Sequence, residues 1–169
     1  MRATRLYAWR KTSTDRHNAT PKFALSLLPQ AAKVHTTPKE MGNGYRDLDV
    51  YQLAHSLGVA MHTFSLTLPK YELYETGSQL RRASKAISVN IVEGYGRKRY
   101  KADFIKFLVY ALASCDESTE WMRYVKECHP DLAEKADPLL SAIDALGRKL
   151  NNFIKAVDAH HNAGPLADE

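Results

Sequence analysis

The sequence predicts an all-α protein, an up-down-up-down, left-handed antiparallel four-helix bundle. Three observations predict it. Four stretches between 47 and 157 repeat apolar residues at alternating intervals of four and three; the connections between them are short and marked by proline or glycine; no stretch shows the two-residue alternation of a half-buried strand. Short connections make successive helices antiparallel neighbours.

The chain has 169 residues, 44% hydrophobic and 25% charged, enough for one domain with a core of its own. Its charge is unevenly placed. Residues 1–40 hold eight lysines and arginines against two acidic residues, a net +6, which leaves 16 basic and 17 acidic residues, a net −1, for the remainder. The overall +5 therefore belongs to the leading segment and does not argue that the bundle itself binds nucleic acid. Residues 1–44 lack sustained periodicity and are broken by Pro21, Pro29 and Pro38, so they read as a poorly ordered basic segment. Met41 stands directly before the patterned region, which makes a mis-assigned start the second reading of this segment; a basic nucleic-acid-binding arm is the third.

Residues 45–160 form the predicted bundle. The first helix, about Asp47 to Leu68, turns Val50, Ala54, Leu57, Met61, Phe64 and Leu68 inward before Pro69 interrupts it. The second, about Glu72 to Glu93, turns Leu73, Leu80, Ala83, Ile87 and Ile91 inward, and the small residues Gly77, Ala83 and Ser84 predict a close helix approach. Gly94 and Gly96 then end it by supplying backbone conformations that other residues resist. The third helix, Lys101 to Cys128, has one seam of Phe104, Leu108, Ala111, Cys115, Met122 and Val125, and a second stripe of Phe107, Tyr110, Trp121 and Tyr124. One bundle core buries only one of these faces fully, so the second stripe is the predicted oligomer interface, the alternative being one broad face closed over by neighbouring helices. After His129 and Pro130 the last helix shows Leu139, Ile143, Leu146, Leu150, Phe153 and Val157, and residues 161–169 are expected to fray.

The polar positions carry the functional candidates. Arg97, Lys98, Arg99 and Lys101 surround a turn that enters a helix, where forked arginine donors and outward N–H groups suit phosphate and Tyr95 or Tyr100 can stack on a base. They are the first candidate nucleic-acid-binding residues, for RNA or DNA. Arg81 and Arg82, with Lys85, form a second basic cluster, whose alternative role is ion pairing with Asp116, Glu117 and Glu120 between helices or subunits. Asn90, Glu93 and Gly94 close the second helix as a structural motif, an amide and a carboxylate beside an apolar face.

No catalytic residue is assigned, because no serine, cysteine or histidine accompanies Glu93 in a nucleophile arrangement. No metal or cofactor is expected: His55 and His62 are seven residues apart, His160 and His161 are adjacent near the end, and Gly94-Tyr95-Gly96 lacks the third glycine of a dinucleotide loop. Two cysteines without a CxxC pair suggest reduced thiols and a cytoplasmic setting. No run approaches the ~20 apolar residues of a membrane helix, so no membrane partner is expected.

The segments Thr76-Gly77-Ser78-Gln79-Leu80-Arg81-Arg82-Ala83, Asn90-Ile91-Val92-Glu93-Gly94 and Phe104-Ile105-Lys106-Phe107-Leu108, followed by Ala111, Ser114 and Glu117, carry a resemblance. From about Tyr45 to Phe153 the chain resembles the S23-like four-helix-bundle family named after proteins encoded in 23S ribosomal RNA intervening sequences. It departs from the pattern at Ala86 and Val89, where relatives often have serine and proline. The resemblance implies a ring-forming homo-oligomer, a pentamer as the best match, and brings no catalytic residues. A related branch, accessory proteins of diversity-generating retroelements, implies by analogy a basic surface for nucleic acid and a protein partner. An aromatic-faced protein adaptor without nucleic-acid binding is the alternative function.

Overall fold

A computed structural model of the chain describes residues 44–161. The readings of 1–43 and of 162–169 lie outside the described residues. A 3-10 turn, Gly44–Asp47, leads into α1 (Asp49–Ser65). There follow a short α2 (Lys70–Tyr74), then α3 (Thr76–Gly96), α4 (Lys101–Cys128), a 3-10 turn at Pro130–Leu132, and α5 (Ala133–His160). Among the described residues every element is helical and none is a strand.

The four seams supply the core. Leu57, Met61, Leu80, Ile87, Ile91, Leu108, Met122, Ile143, Leu146 and Leu150 are its largest fully buried side chains. α1 packs on α3, α3 on α4, α4 on α5, and α5 returns to α1, so each long helix touches two others around a shared interior. Phe153 and Leu73, both expected inside, are half-buried; Phe153 packs edge-on to Phe104 with ring centroids 6.1 Å apart.

Three boundaries differ from the sequence reading. α1 stops at Ser65, not Leu68, because Ser65 Oγ donates to the His62 carbonyl (2.7 Å) and Thr67 Oγ1 to the Phe64 carbonyl (2.8 Å), taking acceptors that a further turn would need. Leu68 stays buried beyond the helix end. The expected second helix is two, broken at Glu75, whose backbone (φ −92°, ψ −103°) is not helical. α3 then runs past Gly94 to Gly96.

Gly94 therefore does not end the helix. Neither Gly94 nor Gly96 has a positive φ, which among the described glycines is confined to Gly44. A Cβ on Gly94 would lie 2.9 Å from Phe107 Cβ and 3.3 Å from the Phe104 carbonyl oxygen, so glycine is needed there for the close approach of α4. A milder version joins α1 to α3, where a Cβ on Gly58 would meet the Ser84 carbonyl at 3.5 Å. Buried Ser84 and Ser118 return their hydroxyls to their own helices, donating to Leu80 and Ser114 carbonyls at 2.7 Å, so neither leaves an unmet polar atom. Cys115 is buried among the α4 seam residues while Cys128 is exposed, and both are free thiols. Burial, reinforced by neighbouring Asp116, pushes the Cys115 thiol up to about 12.

α5 begins upstream of Pro138, which sits inside the helix. Ala136 and Leu132 are buried about one and two turns before Leu139, and that apolar anchor extends the helix backward past the proline.

Candidate nucleic-acid interface

The first basic cluster lies where α3 gives way to α4. Tyr100 stands at the start of α4 in an extended conformation and makes no side-chain cap bond. Around it the four cations differ in freedom. Lys101 is tied to α5, its Nζ 3.0 Å from Asp158 Oδ1. The Arg97 guanidinium lies 3.4 Å from Glu93 Oε1 and over the Phe107 ring, 5.0 Å from its centroid. Lys98 Nζ lies over the Tyr95 ring, 4.1 Å from the centroid, and donates to its hydroxyl at 2.9 Å. The Arg99 side chain is exposed and makes no hydrogen bond or ion pair among the described residues. Arg97 and Lys98 are both half-solvated and held by weak surface contacts, which a phosphate can displace at little cost. Beneath them, His161 Nε2–H donates to the Lys98 carbonyl, closing the turn onto the end of α5.

Arg81 and Arg82 are separated from this corner. About fifteen residues at ~1.5 Å each place Arg82 roughly 22 Å from Arg97 along α3, so the two clusters do not form one patch on a single chain. The neighbours Arg81 and Arg82 also have different fates. Arg81 donates through Nη1 to Ser65 Oγ (3.1 Å) and through Nη2 to the Leu73 carbonyl (2.9 Å), so it joins the end of α1, the broken turn at α2 and the start of α3. Gly77 makes room for it: a Cβ there would lie 3.2 Å from Arg81 Nη1. Arg82 and Lys85 are exposed. The expected ion pairs between this cluster and Asp116, Glu117 and Glu120 are absent within the chain among the described residues; instead Glu117 accepts from Trp121 Nε1 at 3.3 Å and Glu120 approaches Arg123 at 3.7 Å.

Of the polar motif, Asn90 reaches across to α4, its Nδ2 donating to Ser114 Oγ at 3.5 Å. Glu93 is exposed beside Arg97. The aromatic stripe splits in two. Phe107 and Trp121 are half-buried against their own chain, whereas Tyr110 and Tyr124 are 45% and 51% exposed. Ring contacts pair Phe107 with Tyr110 (5.7 Å) and Trp121 with Tyr124 (5.9 Å), leaving Ser114 and Glu117 between the pairs.

The sequence reading missed a shallow groove between α1 and α3, lined by Tyr51, His55, Val59, Ser88, Val89 and Val92. Val59 and Val89 are 44% and 59% exposed, off the seams and therefore visible in the sequence as apolar residues on polar faces.

A family model, the 23S rRNA-intervening sequence protein, matches residues 46–152. The chain belongs to that family. The match spans all four long helices except the last turns of α5, and so includes both basic clusters and the Gly94 contact. The fold recurs in the crystal structure of a protein of unknown function from the S23 ribosomal protein family of Bacteroides thetaiotaomicron VPI-5482, with a TM-score of 0.57 and 20% identity. That alignment covers 63% of this chain and 95% of the other. No curated protein sequence matches this 23S rRNA-intervening sequence protein family member. No helix among the described residues is long and apolar enough to cross a membrane.

Proposed function

We propose that the protein is a non-enzymatic, homo-oligomeric scaffold of the cytoplasm, built as an up-down-up-down, left-handed four-helix bundle, that holds RNA or DNA at the corner between α3 and α4. Antiparallel neighbours are supported by where helix ends meet. Arg81 near the start of α3 bonds Ser65 at the end of α1, Gly94 near the end of α3 packs on Phe104 and Phe107 near the start of α4, and Lys101 at the start of α4 pairs with Asp158 near the end of α5. The observation that carries the binding reading is the cationic corner itself: Arg97, Lys98 and Arg99 stand beside Tyr95 and Tyr100 with no buried ion pair holding them among the described residues. Charge attraction to the phosphate backbone, with ring stacking available, gives affinity without base reading. Arg82 remains a second candidate; Arg81 has two donors committed to the fold.

Self-association is favoured by Tyr110, Tyr124, Val109 and Val89, large apolar side chains that the described residues leave exposed. A ring, with a pentamer as the expected count, would repeat the corner and raise avidity for a long polyanion. The same exposed rings support the second reading, a protein adaptor whose binding salt hardly changes.

The test is the mass of the full chain in solution, by light scattering, with titration of labelled single-stranded RNA and DNA at low and moderate salt. A closed oligomer whose binding falls steeply with salt supports the scaffold reading. An oligomer that binds neither moves the function to a protein partner, and a monomer removes the assembly from the proposal.

A further inference from the structure

Two surfaces of this chain complement each other in spacing and charge, yet form no ion pair with each other among the described residues. On α3 the exposed residues Arg82, Lys85 and Val89 follow one another at intervals of three and four. On α4 the exposed residues Glu120, Glu117 and Ala113, read in the opposite direction, have the same intervals. Arg82 and Lys85 have no acidic partner within 4 Å among the described residues, and Glu117 has no cationic one. α4 packs on α3 through Gly94, Phe107 and the Asn90–Ser114 bond, and the two exposed rows lie outside that contact without pairing among the described residues.

We infer that the α4 face of a second copy lies antiparallel over the α1–α3 groove, with its Glu117 and Glu120 against Lys85 and Arg82 and its Tyr110 seated in the groove. The inference rests on the homo-oligomer reading and gives it an interface. At ~1.5 Å per residue, the register that sets Glu120 opposite Arg82 sets Glu117 opposite Lys85, Ala113 opposite Val89 and Tyr110 opposite Val92. Tyr110 then meets the groove where Tyr51, His55, Val89 and Val92 line it. Small Ala113 lets the helices approach at Val89, and the tyrosine ring fills the hollow beyond. Rotation about an axis parallel to the helices keeps their directions, so a neighbour's α4 is antiparallel to α3, as its own α4 is. Groove and ridge are different surfaces, which makes the contact head-to-tail, and such a contact closes into a ring when the rotation between neighbours closes. Arg82 becomes a subunit contact in this arrangement, not a nucleic-acid ligand.

The test is charge reversal in the full chain. The variants R82E/K85E and E117K/E120K each place like charges across the contact, and each should raise the concentration at which the oligomer dissociates by about a hundredfold, the scale of like-charge juxtaposition at an interface. The fourfold variant, which restores opposite charges with signs exchanged, should reassemble to the wild-type mass. Far-UV circular dichroism of all three checks that the helices remain. Unchanged assembly in both double variants overturns the inference while leaving an oligomer in place, and so does dissociation of the fourfold variant with intact helices. A monomeric wild-type chain removes the homo-oligomer reading itself, and this contact with it.

Discussion

The two ends of α3 carry the same kind of side chain to opposite ends. At its start Arg81 is drawn inward, its fork shared between a serine hydroxyl and the carbonyl freed by the break at Glu75. At its end Arg97 and Arg99 stay on the surface, one lying on an aromatic ring and the other without a partner among the described residues. Glycine accompanies each end for the same reason, space, but Gly77 admits a guanidinium and Gly94 admits a helix. An arginine is recruited into the fold where backbone acceptors have lost their helical donors. Where the helix finishes on its own bonds, the arginine remains available to a ligand.

This contrast is broken most forcefully at the glycines. Gly94→Ala sets a methyl against Phe107 and the Phe104 carbonyl and should cost about 1–3 kcal/mol, read as a lowered denaturation midpoint. Gly96→Ala, two residues on, meets nothing within 4 Å and has no positive φ, so it should stabilise by about 0.4–1 kcal/mol. Equal effects would show that the α3–α4 approach is looser than described. Arg81→Ala should lose about 1–3 kcal/mol, since it strands the Leu73 carbonyl, and Arg81→Lys should recover little of it. Arg99→Ala should leave stability within about 0.5 kcal/mol and lower the dependence of log affinity for single-stranded RNA on log salt by about 0.7. A destabilised R99A protein would place that arginine with Arg81, on the structural side.

The smallest effect is expected at Glu72, beside the break. Hydrogen bonding to the Thr76 side chain, and next to its backbone N–H, holds the Glu72 carboxyl below its usual value of 4.5 against the opposing effect of burial, and His129 at 3.6 Å adds to the lowering. A depressed carboxyl contributes stability that is present above its unfolded pKa and is lost as pH falls through the folded one. Thermal melts from pH 6 down to pH 3 should therefore fall more steeply for the wild-type chain than for Glu72→Gln.

The seams were legible in the sequence because burial follows helical spacing: the inward residues assigned to α1 and α4 are all buried, and α4 has the expected limits. The break at Glu75 was not, because no proline or glycine marks it and its compensation comes from Arg81, six residues later. Gly94 was found but misread. A glycine near a helix end suggests conformational freedom, and only the position of Phe107 on another helix reveals that the missing atom matters instead. Of the candidate site, the cationic corner was visible as composition, whereas the sorting of its four side chains depends on Asp158, Glu93, Tyr95 and Phe107, two of them outside the cluster's own helix. The α1–α3 groove has no motif at all, only valines on faces that should be polar.

The two thiols give the molecule an internal clock for its own opening. Cys128 stands in water and a soluble alkylating reagent reaches it at once, whereas Cys115 is enclosed by the seam and its thiolate is scarce at neutral pH. The slow second label therefore counts excursions in which α4 leaves the others, residue by residue invisible to a melting curve, and it does so in a chain that needs no added probe.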